Sequence, residues 1–216
     1  MPSMLDKVAA DSEHSTILFP EERCSFGELA ERSKEFAAGL KALGIERENK
    51  VGILQVGGID TIAMMFAAMR LGAWPVPINA RYKAEELSYL THHADLKLLV
   101  IDDVLSDVVI KMLPALSNHP GGPLCIPEMP ELQFVVGGNS PRPGMLSWSE
   151  FKAKAAEVNR SAIEEEETKN QAHDVCMLLY TSGTTANPKG AMHSHSTILH
   201  QGANTAFNRF DLNSDD

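Results

Sequence analysis

The stretch Leu96-Lys-Leu-Leu-Val-Ile101 is apolar at five of six positions and does not alternate between polar and apolar residues. A strand with one wet face alternates, whereas a continuously apolar strand is covered on both faces, as in a parallel sheet between helix layers. Three neighbours fit beside it: Val51-Gly-Ile-Leu54, the extended Ala73-Trp-Pro-Val-Pro-Ile78, and Leu132 to Val136. In the second of these each proline disfavours helix for itself and for the residue before it. Helix signals fill the gaps. Ser25-Phe-Gly-Glu28 is a capping box, followed by Phe26, Leu29, Phe36, Leu40 and Leu43 on one face and by a stop at Gly44. A second helix starts near Asp60, buries Ile62, Met65, Phe66 and Met69, and stops at Gly72. A third covers roughly residues 84 to 93. Asp103 is placed to cap a fourth carrying Val104, Leu105, Val108, Val109 and Met112, and a second capping box, Ser147-Trp-Ser-Glu150, opens a helix at Trp148. Alternating strands and helices with apolar strands predict an α/β fold, a mostly parallel sheet flanked by helices. Trp74 and Trp148 read as core or helix cover, given their apolar neighbours.

The 216 residues are 44% hydrophobic and 22% charged, which supports an ordinary folded core. A net charge of −10 repels phosphate backbones and excludes a general nucleic-acid binder, but leaves room for one locally favourable nucleotide site. Cys24, Cys125 and Cys176 are far apart, which suits a reducing compartment without disulfides or zinc. The N-terminus lacks the apolar run of a secretory signal. The longest apolar run, Ile62 to Met69, ends at Arg70 and is too short for a bilayer core of about 30 Å. The expectation is a cytoplasmic protein with no transmembrane segment. Residues 158–171 interrupt the pattern with the acidic run Glu164 to Glu167, read as solvated loop or helix end. They divide a first α/β subdomain, 1–157, from the start of a second, 172–216.

Beyond that boundary an apolar strand, Asp174 to Tyr180, runs directly into Thr181-Ser-Gly-Thr-Thr-Ala-Asn-Pro-Lys-Gly190. Four hydroxyl residues stand within five positions, followed by a lysine. Glycine lets backbone N–H groups approach a ligand closely, hydroxyls donate short hydrogen bonds, and lysine adds a mobile charge. That combination suits a polyanion. A Walker A loop it is not: counting from Gly183, the second glycine position holds Pro188, and Gly190 stands where a hydroxyl should follow Lys189.

The segment Tyr180-Thr-Ser-Gly-Thr-Thr-Ala-Asn-Pro-Lys-Gly190 closely resembles the phosphate loop of the adenylate-forming synthetases, the superfamily of acyl-CoA synthetases, luciferases and peptide-synthetase adenylation domains. Met69-Arg-Leu-Gly-Ala-Trp-Pro-Val-Pro-Ile-Asn79, Ala84-Glu-Glu-Leu-Ser-Tyr-Leu90 and Lys97-Leu-Leu-Val100 resemble its early region, so the likeness runs from about residue 14 onward. It implies a two-step ligase of acyl-CoA synthetase type. A carboxylic acid, such as a fatty acid, attacks the α-phosphate of ATP, and the resulting acyl-adenylate passes to coenzyme A. It further implies that Thr181, Ser182, Thr184 and Thr185 donate to phosphate, that Gly183 permits close approach, and that Lys189 adds charge, with Mg2+ accompanying the nucleotide.

The chain departs from the pattern at Ala186, where the family usually has glycine. Positive φ there would cost on the order of 1–2 kcal/mol, so weakened but retained nucleotide affinity is expected. His193, His195 and His200 follow the loop without a carboxylate or thiol to complete a metal site. The family commonly has a histidine at the position of His195. Its motifs for adenine, ribose and the reacting carboxylate lie further on, and only 26 residues follow Gly190. The catalytic residues are therefore expected beyond Asp216, and the chain is expected to be the N-terminal part of such an enzyme. Two alternatives stand beside this: a short non-catalytic binder of nucleotide or a partner, and an amino-acid-activating adenylation domain.

Overall fold

The computed structural model describes residues 1–11, 16–139, 142–181 and 188–210. Helix α1 (Pro2–Asp11) is followed by a small hairpin, β1 (Thr16–Leu18) and β2 (Arg23–Ser25). Then α2 (Phe26–Ala42), β3 (Lys50–Leu54), α3 (Ile59–Arg70), β4 (Trp74–Pro77), α4 (Ala84–His93) and β5 (Leu96–Ile101) alternate along the chain. A 3-10 turn and α5 (Ser106–Met112) lead to β6 (Phe134–Gly137), α6 (Trp148–Ala155) and α7 (Arg160–Thr168). The last elements are β7 (Val175–Thr181), β8 (Lys189–Ser194) and α8 (His195–Arg209).

Strands β4, β3, β5 and β6 form a wholly parallel sheet in that order. Neighbouring residues of each strand feed opposite cores. Ile53, Leu98, Val100 and Val136 meet Phe36 and Leu40 of α2, Met64 of α3 and Phe151 of α6 on one face. Leu54, Leu99, Ile101 and Val135 meet Leu87 and Leu90 of α4 and Val109 of α5 on the other. That double cover is what the unbroken apolar strands required.

Both capping boxes form. The Ser25 hydroxyl accepts from the Glu28 N–H at 3.1 Å while Glu28 accepts from the Ser25 N–H at 2.8 Å. Ser147 and Glu150 repeat the exchange at 3.3 and 2.8 Å. The α6 helix so started places Phe151 against α2 at Gly39, where a β-carbon would collide with the phenyl ring. Trp148 stacks on Phe36 at 5.3 Å between ring centroids, as cover for that core, and Trp74 lies beneath the Lys50 ammonium at 5.1 Å.

Two local expectations need correction, and a third is resolved. Asp103 does not cap α5; it begins the 3-10 turn, and its carboxylate accepts from the Asn139 N–H beyond β6 at 2.9 Å. Pairing of β6 starts at Phe134, two residues later than the apolar run suggested, although Leu132 is buried. Of the two readings of the acidic run, loop or helix end, the structure shows the second: Glu164 to Glu167 close α7, which is capped by Asn159 and anchored by the buried Ile163. Glu166 accepts from Lys41 at 3.1 Å, and Glu167 from Arg70 at 2.6 Å.

Arg70 is the largest fully buried side chain among the described residues. Its guanidinium donates to Ser33 Oγ at 2.9 Å, to both oxygens of Asp6 at 2.7 and 2.8 Å, and to Glu167. One cation thus joins α1, α2, α3 and α7. Desolvation opposes its charge, yet hydrogen bonding to Asp6 and the nearby Glu167 charge win and hold its pKa above the usual arginine value.

Candidate functional site

Two places compete as the site. In the parallel sheet the chain leaves β3 toward β4 on one side and β5 toward β6 on the other, so the carboxyl ends of β3 and β5 mark the switch point where α/β folds hold ligands. A cavity of about 470 Å³ opens there, lined by Gln55, Gly58, Asp102, Asn139 and Lys152 among others. Its carboxylates are occupied with the fold. Asp102 accepts from the Val56 N–H at 2.7 Å and from Gln55 Nε2 at 3.1 Å, Glu22 accepts from the Ile59 N–H at 2.7 Å, and Asp60 pairs with Arg32 at 2.8 Å. These groups tie loops together.

The second place is the β7–β8 hairpin. Cys176 and Leu178 turn into the core and secure β7, while burial pushes the Cys176 thiol up to about 11 and leaves it unreactive. Every residue of β8 is at least partly exposed. Antiparallel pairing runs from Val175 with Ser194 to Tyr180 with Gly190 and Thr181 with Lys189. Thr181 and Lys189 therefore stand opposite each other, both exposed, as the last pair of the ladder among the described residues. Of the expected phosphate-binding residues these two are described and brought together. Ser182, Gly183, Thr184 and Thr185, with Ala186, lie outside the described residues.

The base of the hairpin is tied to the first lobe. Arg47 Nη1 donates to Asp174 at 3.0 Å and Nη2 to Asn170 at 2.9 Å, and Asn170 Nδ2 donates to the carbonyls of Met69 and Arg70. His195, capped into α8 by Ser194, is buried with Nδ1 at 3.5 Å from the Met1 ammonium. Burial first, then that positive charge, pushes its imidazole down to about 4. His195 is thus a neutral structural group at pH 7. Among the described residues no three His, Cys, Asp or Glu side chains come together to hold a metal ion.

The tip is tied as well. Tyr180 Oη lies 2.6 Å from His93 Nδ1, and Tyr89 Oη donates to the Pro188 carbonyl at 3.4 Å. Burial, then Tyr89 and Asp95, raises the Tyr180 phenol to about 12, so it keeps its proton through the neutral range. Nothing in the local sequence of α4 marked His93 or Tyr89 as neighbours of the loop.

A fold of this kind, with a hydroxyl-rich sequence joining β7 to β8, has relatives among known proteins. The family described as AMP-binding enzyme matches residues 5–216, and the chain belongs to it. YngI of Bacillus subtilis (strain 168) is 29% identical over 212 residues, a match spanning 94% of this chain and 39% of YngI. The medium-chain acyl-CoA ligase ACSF2, mitochondrial, of Homo sapiens is 28% identical over 197 residues, spanning 88% of this chain and 32% of ACSF2. The chain thus spans only about a third of the length of the curated relatives it matches. Among solved structures, the anthranilate CoA ligase AuaEII in complex with anthranoyl-AMP superposes with a TM-score of 0.79 at 23% identity, covering 96% of this chain and 37% of AuaEII. Among the described residues no helix is long and apolar enough to cross a membrane.

Proposed function

We propose that the β7–β8 hairpin binds the phosphates of ATP and that the chain contributes this site to an acid–coenzyme A ligase acting through an acyl-adenylate. The observation that carries the reading is the pairing of exposed Thr181 with exposed Lys189, the residues that flank the 182–188 segment, in a chain of the AMP-binding family. When the acid's carboxylate attacks the α-phosphorus, the bond to the bridging oxygen breaks and negative charge grows on the departing pyrophosphate. A hydroxyl and an ammonium fixed at that end favour the transition state over the ground state, because the charge they meet increases along the reaction. Ser182, Thr184 and Thr185 supply further donors in this reading, and Gly183 the close backbone approach. Mg2+ in this reading would arrive on the nucleotide's phosphates and neutralise part of their charge. A fatty acid is the proposed acyl donor, supported by the medium-chain acyl-CoA ligase among the relatives. The occupied carboxylates of the switch-point cavity favour the hairpin over that cavity as the nucleotide site.

The test is Mg·ATP binding to the 216-residue chain by calorimetry. Lys189→Ala removes one charge-assisted contact and should weaken binding roughly tenfold with unchanged unfolding behaviour. Equal affinity in wild type and variant would sink the assignment, as would a wild-type chain that fails to bind.

A further inference from the structure

The hairpin that carries the loop cannot hold its own tip in place. Two antiparallel strands are marginal in water, and β8 has no buried residue to anchor it. The loop is nonetheless bracketed by two contacts from a single helix. On the entering side, the Tyr180 hydroxyl meets His93 Nδ1 at 2.6 Å, and the two rings meet edge to face at 5.7 Å. On the leaving side, the Tyr89 hydroxyl donates to the Pro188 carbonyl at 3.4 Å. Proline has no N–H, so this carbonyl is its only polar backbone group. Tyr89 and His93 stand one turn apart on α4, with ring centroids at 5.2 Å, and so act as one surface.

Gly190 completes the arrangement. It faces Tyr180 across the ladder, and a β-carbon there would stand 3.3 Å from Tyr180 Cζ and 3.1 Å from Leu178 Cδ1. Without a side chain, the β8 backbone can lie close over the phenol ring and leave the hydroxyl aimed at His93. A neutral phenol can donate or accept, so the contact forms with either ring tautomer of His93.

We propose that α4 is a clasp for the phosphate loop, with His93 and Tyr89 as positioning residues that set the separation and direction of its two ends. The role rests on the reading of this hairpin as the phosphate site. It predicts that a solvent-exposed histidine, touching no ligand, controls nucleotide affinity. His93 would act by limiting how far Thr181 and Lys189 wander before they meet phosphate, so that less order is lost on binding.

The test uses the 216-residue chain with Mg·ATP as probe, alongside thermal unfolding and amide hydrogen exchange at Lys189 and Gly190. His93→Ala and Tyr180→Phe should each weaken ATP binding roughly three- to tenfold, the value of one hydrogen bond. The double variant should be no weaker than either single one, since both break the same contact. His93→Asn, whose side-chain amide can donate or accept where Nδ1 stands, should restore affinity to within about twofold. Melting temperatures should stay together, and exchange at the hairpin should quicken in His93→Ala. Wild-type affinity in His93→Ala, additive losses in the double variant, or failure of His93→Asn to rescue would each overturn the proposal. So would unchanged hairpin exchange. If exchange quickens while no form of the chain binds ATP, the clasp stands and the phosphate reading falls.

Discussion

Strands β5 and β8 are both six residues long and carry opposite burdens. In β5 every residue but Lys97 is buried, with a helix layer on each side, whereas in β8 none is buried and the partner is a single strand. Met192 of β8 and Phe207 of α8 stand about two-thirds exposed. The sheet has the architecture of a scaffold that cannot move without opening two cores. The hairpin is fixed through β7, which buries Cys176 and Leu178, and by polar contacts at its base and tip, while β8 buries nothing. Binding residues commonly sit on such segments, because a ligand must reach them while a rigid body fixes their origin.

Substitutions on the two sides should separate this contrast sharply. Leu99→Ala empties space at the centre of the sheet and should cost about 2–5 kcal/mol, while Met192→Ala should stay within about 0.5 kcal/mol. Comparable losses in urea unfolding would mean that the hairpin is as much core as the sheet.

Next in size is the polar joint that Arg70 makes among α1, α2, α3 and α7. Arg70→Met leaves Asp6, Glu167 and Ser33 without their shared donor and should cost roughly 3 kcal/mol, softened by the partial exposure of Asp6. A urea midpoint unchanged by this substitution would show that packing alone holds α1 and α7 in place.

The smallest expected effect concerns pH. His195 resists protonation in the folded chain down to about 4, while the unfolded chain takes up that proton near 6.5. The unfolded state therefore binds more protons between those values, and stability is lost as pH falls through the window. Asp174 opposes this shift, and the Met1 ammonium and Arg47 reinforce it. Lowering the pH from 7 to 5 should remove at most about 2 kcal/mol through this histidine. His195→Gln should flatten the dependence, and an equally steep loss in that variant would locate the pH response elsewhere.

Much of the sheet was legible because its signals are local. Continuous apolar strands, capping boxes at Ser25 and Ser147, and glycine stops at Gly44 and Gly72 each depend on a few adjacent residues. Strand β8 was not legible. Lys189-Gly-Ala-Met-His-Ser194 has no strand pattern of its own and becomes one by pairing with β7. The partners of α7 were hidden for a related reason. Its end was readable, but Lys41 and Arg70, 125 and 97 residues away in sequence, arrive beside Glu166 and Glu167 only in the fold. Of the candidate site, the loop composition was readable, but the clasp joins His93 to Tyr180 across 87 residues.

By itself the sequence determined the parallel α/β scaffold, the helix starts and the hydroxyl-rich composition of the Thr181–Lys189 segment. Those follow from apolar patterning, cap geometry and side-chain donors acting over a turn or two of chain. Only the tertiary structure decided that Arg70 would bind four helices into one body. Only it set His93 and Tyr89 of α4 against the two ends of that segment. Contacts between distant segments depend on how the packed layers bring surfaces together, and no local pattern records that meeting.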